Sequence, residues 1–139
     1  MAEGGLKARD VANVADFRAA LRRFLRKSER IARSSGLTPQ RHLLLLMIKG
    51  AADGSERSTV TELAERLQLA QSTVTELVSR AEEAGLVARE TSAHDARVAH
   101  LRLTDEGERR LALAFTKLET ERRELREAFR HLEEDAQGT

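Results

Sequence analysis

The fold turns on residues 59–85, which open Thr59-Val60-Thr61-Glu62-Leu63-Ala64-Glu65-Arg66-Leu67 and continue, after Gln68-Leu69-Ala70, as Gln71-Ser72-Thr73-Val74-Thr75. Thr59 and Glu62 have the spacing of a capping box, in which the threonine hydroxyl takes a backbone amide and the glutamate reaches back. Leu63, Ala64 and Leu67 then form the apolar stripe of a short helix that runs through Arg66. A second helix begins at Gln71, with Val74, Leu77, Val78 and Ala81 facing inward and Gly85 ending it. Two short helices joined by a tight turn, the second with small polar residues in its first turn, are a helix-turn-helix pattern.

Towards the C-terminus the period changes from helical to alternating. Leu86–Glu90 and Val98–Leu103 read as two strands around a polar tip at Thr91–Arg97. A hairpin placed there is a wing, spanning about 87–103, with the recognition helix at about 71–84. Thr104 caps a last helix that starts with Asp105 and Glu106, the sign the helix dipole favours, and runs to about Glu133. Along it Leu111, Phe115, Leu118, Arg122, Leu125, Phe129 and Leu132 step by four and three, a seam with Arg122 as its polar member.

Towards the N-terminus, Gly50–Ser58 is a loop by composition. Thr38-Pro39 opens a helix whose Leu43–Ile48 run has no polar break, so it is expected to be the buried centre. A long first helix, Asp10–Ser35, carries a seam of Val14, Phe17, Leu21, Phe24, Ser28 and Ile31, with Gly36 as its C-cap. The expected fold is mainly α with a small β-wing in one domain, 1–139. A winged helix-turn-helix lobe over 38–104 is flanked by long helices at 10–35 and 105–133.

Two arrangements fit the outer seams: an antiparallel pair within the chain, or a subunit interface across a two-fold axis. The second is preferred, because two symmetric lobes read both halves of a palindrome where one reads few bases. It makes 10–35 and 105–133 dimerisation helices and puts Val14, Phe17, Leu21, Phe24, Leu118, Leu125, Phe129 and Leu132 at a homodimer interface.

The 139 residues include 24 Lys+Arg and 23 Asp+Glu, for a formal net charge of +1. That balance hides a gradient: residues 6–33 hold nine basic and three acidic side chains, 58–104 five and seven, 105–135 seven and ten. The basic first helix reads as a solvated face or, alternatively, as a DNA-tracking surface. With no cysteine, a disulfide scaffold, a thiolate metal site and a thiol sensor are excluded. The small, acidic start Met1–Gly5 leads to no expectation of a secretory signal, and no apolar run is long enough to span a bilayer. The chain is expected in the cytoplasm, away from membranes.

Five pieces in order make the sequence resemble a MarR-family transcriptional regulator over nearly its whole length. They are Leu37-Thr38-Pro39-Gln40; Val60–Leu67; Gln71–Thr75 leading to Glu83-Ala84-Gly85-Leu86-Val87; Asp95-Ala96-Arg97; and Leu101-Arg102-Leu103-Thr104 to Gly107. The resemblance implies a dimer whose terminal helices pair and whose winged lobes bind a palindromic operator in double-stranded DNA. It implies a repressor, of its own or a neighbouring promoter, released by a small anionic or aromatic effector. By position, wing contacts fall on Asp95 and Arg97, with Arg97 entering the minor groove. Recognition-helix contacts fall on Gln71, Ser72, Thr73, Thr75, Glu76, Ser79 and Arg80, and Arg89 adds to the local positive field; local capping is the alternative role for Gln71, Ser72 and Thr75. Effector-pocket candidates are Phe17, Leu21, His42 and Met47, between the first two helices and the lobe.

Three departures from the family pattern bear on DNA affinity: Glu76 where a basic residue is common, Ala96 inside the wing motif, and Ala81 in place of Leu. They leave a competing class open, a helical interaction protein with lost or weakened DNA binding that acts through a protein partner. An enzyme is not expected: there is no phosphate loop, nucleophile elbow or paired carboxylate in an apolar frame. Nor is a cofactor or metal, since His42, His94, His100 and His131 form no three- or four-residue pair. His42 reads as a core or pocket residue.

Overall fold

The computed structural model describes residues 5–91, 94 and 97–137. Among them six helices and one hairpin follow as α1 (Ala8–Ser34), α2 (Pro39–Lys49), α3 (Val60–Leu67), α4 (Gln71–Glu83), β1 (Val87–Thr91), β2 (Ala99–Leu103), α5 (Asp105–Lys117) and α6 (Glu119–Gln137). This is the mainly helical winged architecture that the sequence pattern predicts. The chain divides into two compact units, residues 32–114 and residues 1–31 with 115–139.

Short-range chemistry starts and stops the helices of the 32–114 unit. Thr38 caps α2 by accepting from the Arg41 amide at 3.2 Å, with Pro39 at the first helical position. The Thr59–Glu62 capping box is complete: Thr59 Oγ1 accepts from the Glu62 amide at 3.2 Å, and Glu62 accepts from the Thr59 amide at 2.9 Å. Gln68 makes the turn to α4 in a left-handed conformation at φ 56°, and the Leu69 amide bonds the Ala64 carbonyl at 3.1 Å. Thr104 ties the wing to α5: its hydroxyl donates to the Gly85 carbonyl at 2.6 Å and accepts from the Gly107 amide at 3.1 Å.

The core of this unit joins Leu44, Leu45 and Ile48 of α2 to Leu63, Val74, Val78 and Leu101. Burying one such aliphatic side chain contributes roughly 1.5–3 kcal/mol, so this cluster holds the lobe together. The expectation that α2 is enclosed on all sides needs correction. Leu43 is 42 % exposed, because α3, α4 and β2 cover one side of the helix and its other rows turn away. β1 and β2 pair antiparallel from Val87↔Leu103 to Thr91↔Ala99. Ser58, read as the end of a loop, exchanges both backbone hydrogen bonds with Leu101 at 3.1 and 2.8 Å and adds a third edge to the hairpin.

In the other unit α1 and α6 pack antiparallel. Phe17 meets Phe129 with ring centroids 6.2 Å apart, and Lys27 meets Glu121 at 3.5 Å. The intrachain pairing of the two seams is thus present. The single last helix expected over 105–133 is instead two, separated at Leu118. Neither proline nor glycine causes the break. The Phe115 carbonyl accepts from the Leu118 amide at 3.3 Å, a tighter turn than the α-helix, and also from the Arg122 guanidinium at 2.7 Å, which lies 3.8 Å over its ring. Val14 and Phe129 remain about half exposed, at 52 % and 50 %, while Leu118 is closed off at 3 %. Phe17, Leu21, Phe24, Leu125 and Leu132 are half-buried.

Candidate nucleic-acid interface

Helix α4 presents one polar face. Val74, Leu77, Val78 and Ala81 are buried, which by helical periodicity turns Gln71, Ser72, Thr73, Thr75, Glu76 and Arg80 to solvent, with Ser79 half-buried beside them. The start of α4 differs from those of its neighbours. Thr38, Thr59 and Thr104 cap α2, α3 and α5, whereas Ala70 gives α4 no side-chain cap, so its first-turn amides stay open to an acceptor from outside. Two contact candidates make bonds other than the capping weighed for them. Thr75 donates to the Gln71 carbonyl at 2.9 Å, and Gln71 reaches Thr61 at 3.3 Å. Both keep acceptor oxygens for a ligand.

Cations of α4 and of the hairpin are matched by carboxylates. Arg80 donates to Glu76 at 2.6 Å along one helical turn. Arg89 of β1 reaches back to Glu82 of α4 at 2.8 Å. Glu90 holds Arg57 at 3.1 Å and Arg102 at 2.5 Å. Arg102 is a cation that the sequence reading left out of the interface; its signal was the alternation of Val98–Leu103, which puts residue 102 on the outer side with 98 and 100. Exposed pairs of this kind contribute about 0–1 kcal/mol each, so a phosphate or base can take over either partner at small cost. Arg97 lies in the turn of the wing and is exposed; Asp95 lies outside the described residues.

His42 is 5 % exposed on α2, and burial holds its imidazole below its ordinary 6.5, so it is neutral in the fold. Met47 on the same helix is half-buried. Phe17 and Leu21, named with them as effector candidates, belong to the other compact unit, where Phe17 stacks on Phe129. His94 and His100 sit in the hairpin and His131 on α6 beside Glu127 at 3.6 Å. Among the described residues no group of three or more His, Asp or Glu is placed to hold a metal, and no helix is long and apolar enough to cross a membrane.

Comparison with known proteins bears on what such a lobe is. The sequence profile of the MarR family matches residues 35–98. Over 73 residues the chain is 40 % identical to the HTH-type transcriptional repressor MdtR of Bacillus subtilis, an alignment covering 52 % of this chain and 44 % of MdtR, so it spans less than half of that relative. A MarR family protein from Bacillus stearothermophilus has the same fold at TM-score 0.71 and 29 % identity, over 84 % of this chain and 79 % of that one. A MepR mutant from S. aureus, bound to an oligodeoxyribonucleotide, shares the fold at TM-score 0.65 and 21 % identity, over 78 % of each chain. The profile match covers the winged lobe, a little under half of the chain, and the fold is shared over most of its length, so that lobe is similar to those of the MarR family of transcription regulators.

Proposed function

We propose that the protein is a cytoplasmic, homodimeric, sequence-specific DNA-binding regulator that represses its own or a neighbouring promoter and is released by a small anionic or aromatic effector. The observation that carries the DNA reading is the pairing of an exposed polar face on α4, with an uncapped N-terminus, and a hairpin that exposes Arg97 in the same unit. A recognition helix in the major groove with a wing reaching the adjacent minor groove accounts for both features. In this reading the contacts are Gln71, Ser72, Thr73, Thr75, Glu76, Ser79, Arg80, Arg89, Asp95 and Arg97. A second copy is favoured by the apolar surface left on the helical unit, where Val14 and Phe129 are 52 % and 50 % exposed. The repressor role and the effector rest on the family likeness, with Phe17, Leu21, His42 and Met47 as the candidate effector-contacting side chains.

Gel-shift titration against palindromic and random duplexes at low and physiological salt tests the reading. The expected result is preference for the palindrome and a steep loss of affinity with salt. Arg97→Ala should weaken binding by ~1–3 kcal/mol while sedimentation still reports a dimer. Equal binding to all duplexes at both salts rejects the reading.

One observation favours a second reading. Arg80, Arg89, Arg57 and Arg102 are each matched by a glutamate, which lowers the field that phosphates meet. Such a face suits a helical interaction protein that acts on a protein partner and no longer binds DNA. Absence of a shift with any duplex, together with a self-associating helical unit, is the outcome that selects it.

A further inference from the structure

The recognition helix carries a carboxylate and a guanidinium already in contact. Glu76 and Arg80 lie one turn apart on the solvent face of α4, with side chains 64 % and 62 % exposed and a 2.6 Å contact between Glu76 Oε1 and Arg80 Nη2. Glu preceding Arg by four residues is the favourable order for such a pair, so the two heads are presented as one unit. They line a shallow recess of about 160 Å³ with Gln40, Thr73 and Leu77.

An isolated acid on a DNA-facing helix repels phosphate. An acid held against an arginine is different, because the pair is neutral overall and offers donors beside an acceptor. Across the major groove a G·C pair presents, in order, the guanine N7 and O6 acceptors and then the cytosine N4 donor. The arginine fork fits the two acceptors and the glutamate fits the neighbouring donor, without separating the two charges. An A·T pair presents acceptor, donor, acceptor, which sets a donor against the fork and an acceptor against the carboxylate. We infer that Glu76 and Arg80 act together as the specificity determinant for a single C·G base pair in each half-site. The inference rests on the DNA-binding reading and names which base pair this chain recognises.

Enrichment of bound duplexes from a random library, run in parallel on the wild-type, Glu76→Ala and Arg80→Ala proteins, tests it. Both side chains are exposed, and circular dichroism checks that each variant keeps its helices. The wild-type protein should select one strongly preferred C·G pair in each half of its site. Replacing that pair by A·T should weaken wild-type binding about 10- to 100-fold. Both variants should lose the preference there and keep it elsewhere. If Glu76→Ala keeps the wild-type preference, or tightens binding equally on all sequences, the pair has no reading role and Glu76 only tempers phosphate attraction. If the wild-type protein enriches no sequence, the DNA-binding reading falls first and the pair falls with it.

Discussion

At the residue scale, Gly107 in the first turn of α5 is pressed against backbone. A β-carbon there would stand 2.2 Å from the Leu86 carbonyl oxygen and 3.1 Å from its carbon. That carbonyl also accepts from the Thr104 amide at 3.0 Å, so it cannot move without loosening the base of the wing. Alanine is the better helix former by about 1 kcal/mol, but forcing a methyl against backbone costs about 1–3 kcal/mol and a hydrogen bond besides. Gly107→Ala should therefore lower the urea midpoint, with a net loss of roughly 1–3 kcal/mol. An unchanged midpoint would show that α5 and the strand-side backbone can slide apart. Arg122 shows the same dependence on place: its polar position in an apolar seam is visible in the chain, but its grip on the Phe115 carbonyl is not.

At the element scale, α3 depends on its start. It has eight residues, too few to be stable alone, and its Thr59 cap fixes both its first turn and the chain leaving Ser58. Thr59→Ala should cost about 1 kcal/mol in chemical unfolding, and Thr59→Ser should restore most of it. Equal midpoints for wild type and Thr59→Ala would mean the cap is replaced by water without loss. The caps, the turn and helices α3 and α4 were legible because each is written in residues within four or five positions of one another, and the hairpin because the alternation within each strand shows without its partner. Ser58 pairing with Leu101 was not, since its composition matches any loop and its partner is 43 positions away. The break at Leu118 escaped for a related reason: the three-four stepping of the seam continues across it while the backbone does not.

At the scale of the molecule, the near-zero net charge resolves into local pairs, and two of its titrations predict a pH profile. His42 is held below its ordinary 6.5 by burial, so the unfolded chain takes up a proton before the fold does. Its contribution is full above that value and is lost as pH falls below it. The unfolding midpoint should thus decline as pH falls below 6.5, and His42→Leu should flatten that limb. A wild-type midpoint that is level there would show that the imidazole is accommodated as a cation. Glu106 acts lower: hydrogen bonds from Arg109 and Arg110 bring its carboxylate from 4.5 to about 2. Its contribution stands above 4.5 and fades as pH falls toward about 2, and Glu106→Gln should remove it. The solvent around that side chain keeps the effect small.

What could be read from the chain is what neighbouring residues decide among themselves: helix caps, apolar periods, the tight turn and the wing, and hence the candidate face of α4. Those features need only hydrogen bonds and packing within a few residues, so the order of amino acids specifies them. Which carboxylate meets which cation, that α1 and α6 meet through Phe17 and Phe129, and that glycine must stand at 107 are of another kind. They join positions far apart in the chain or on different elements, and their distances exist only once the core has set the elements against one another. Arg80 and Arg89, expected to face DNA, were therefore visible as residues, and their pairing with Glu76 and Glu82 was a property of the folded lobe.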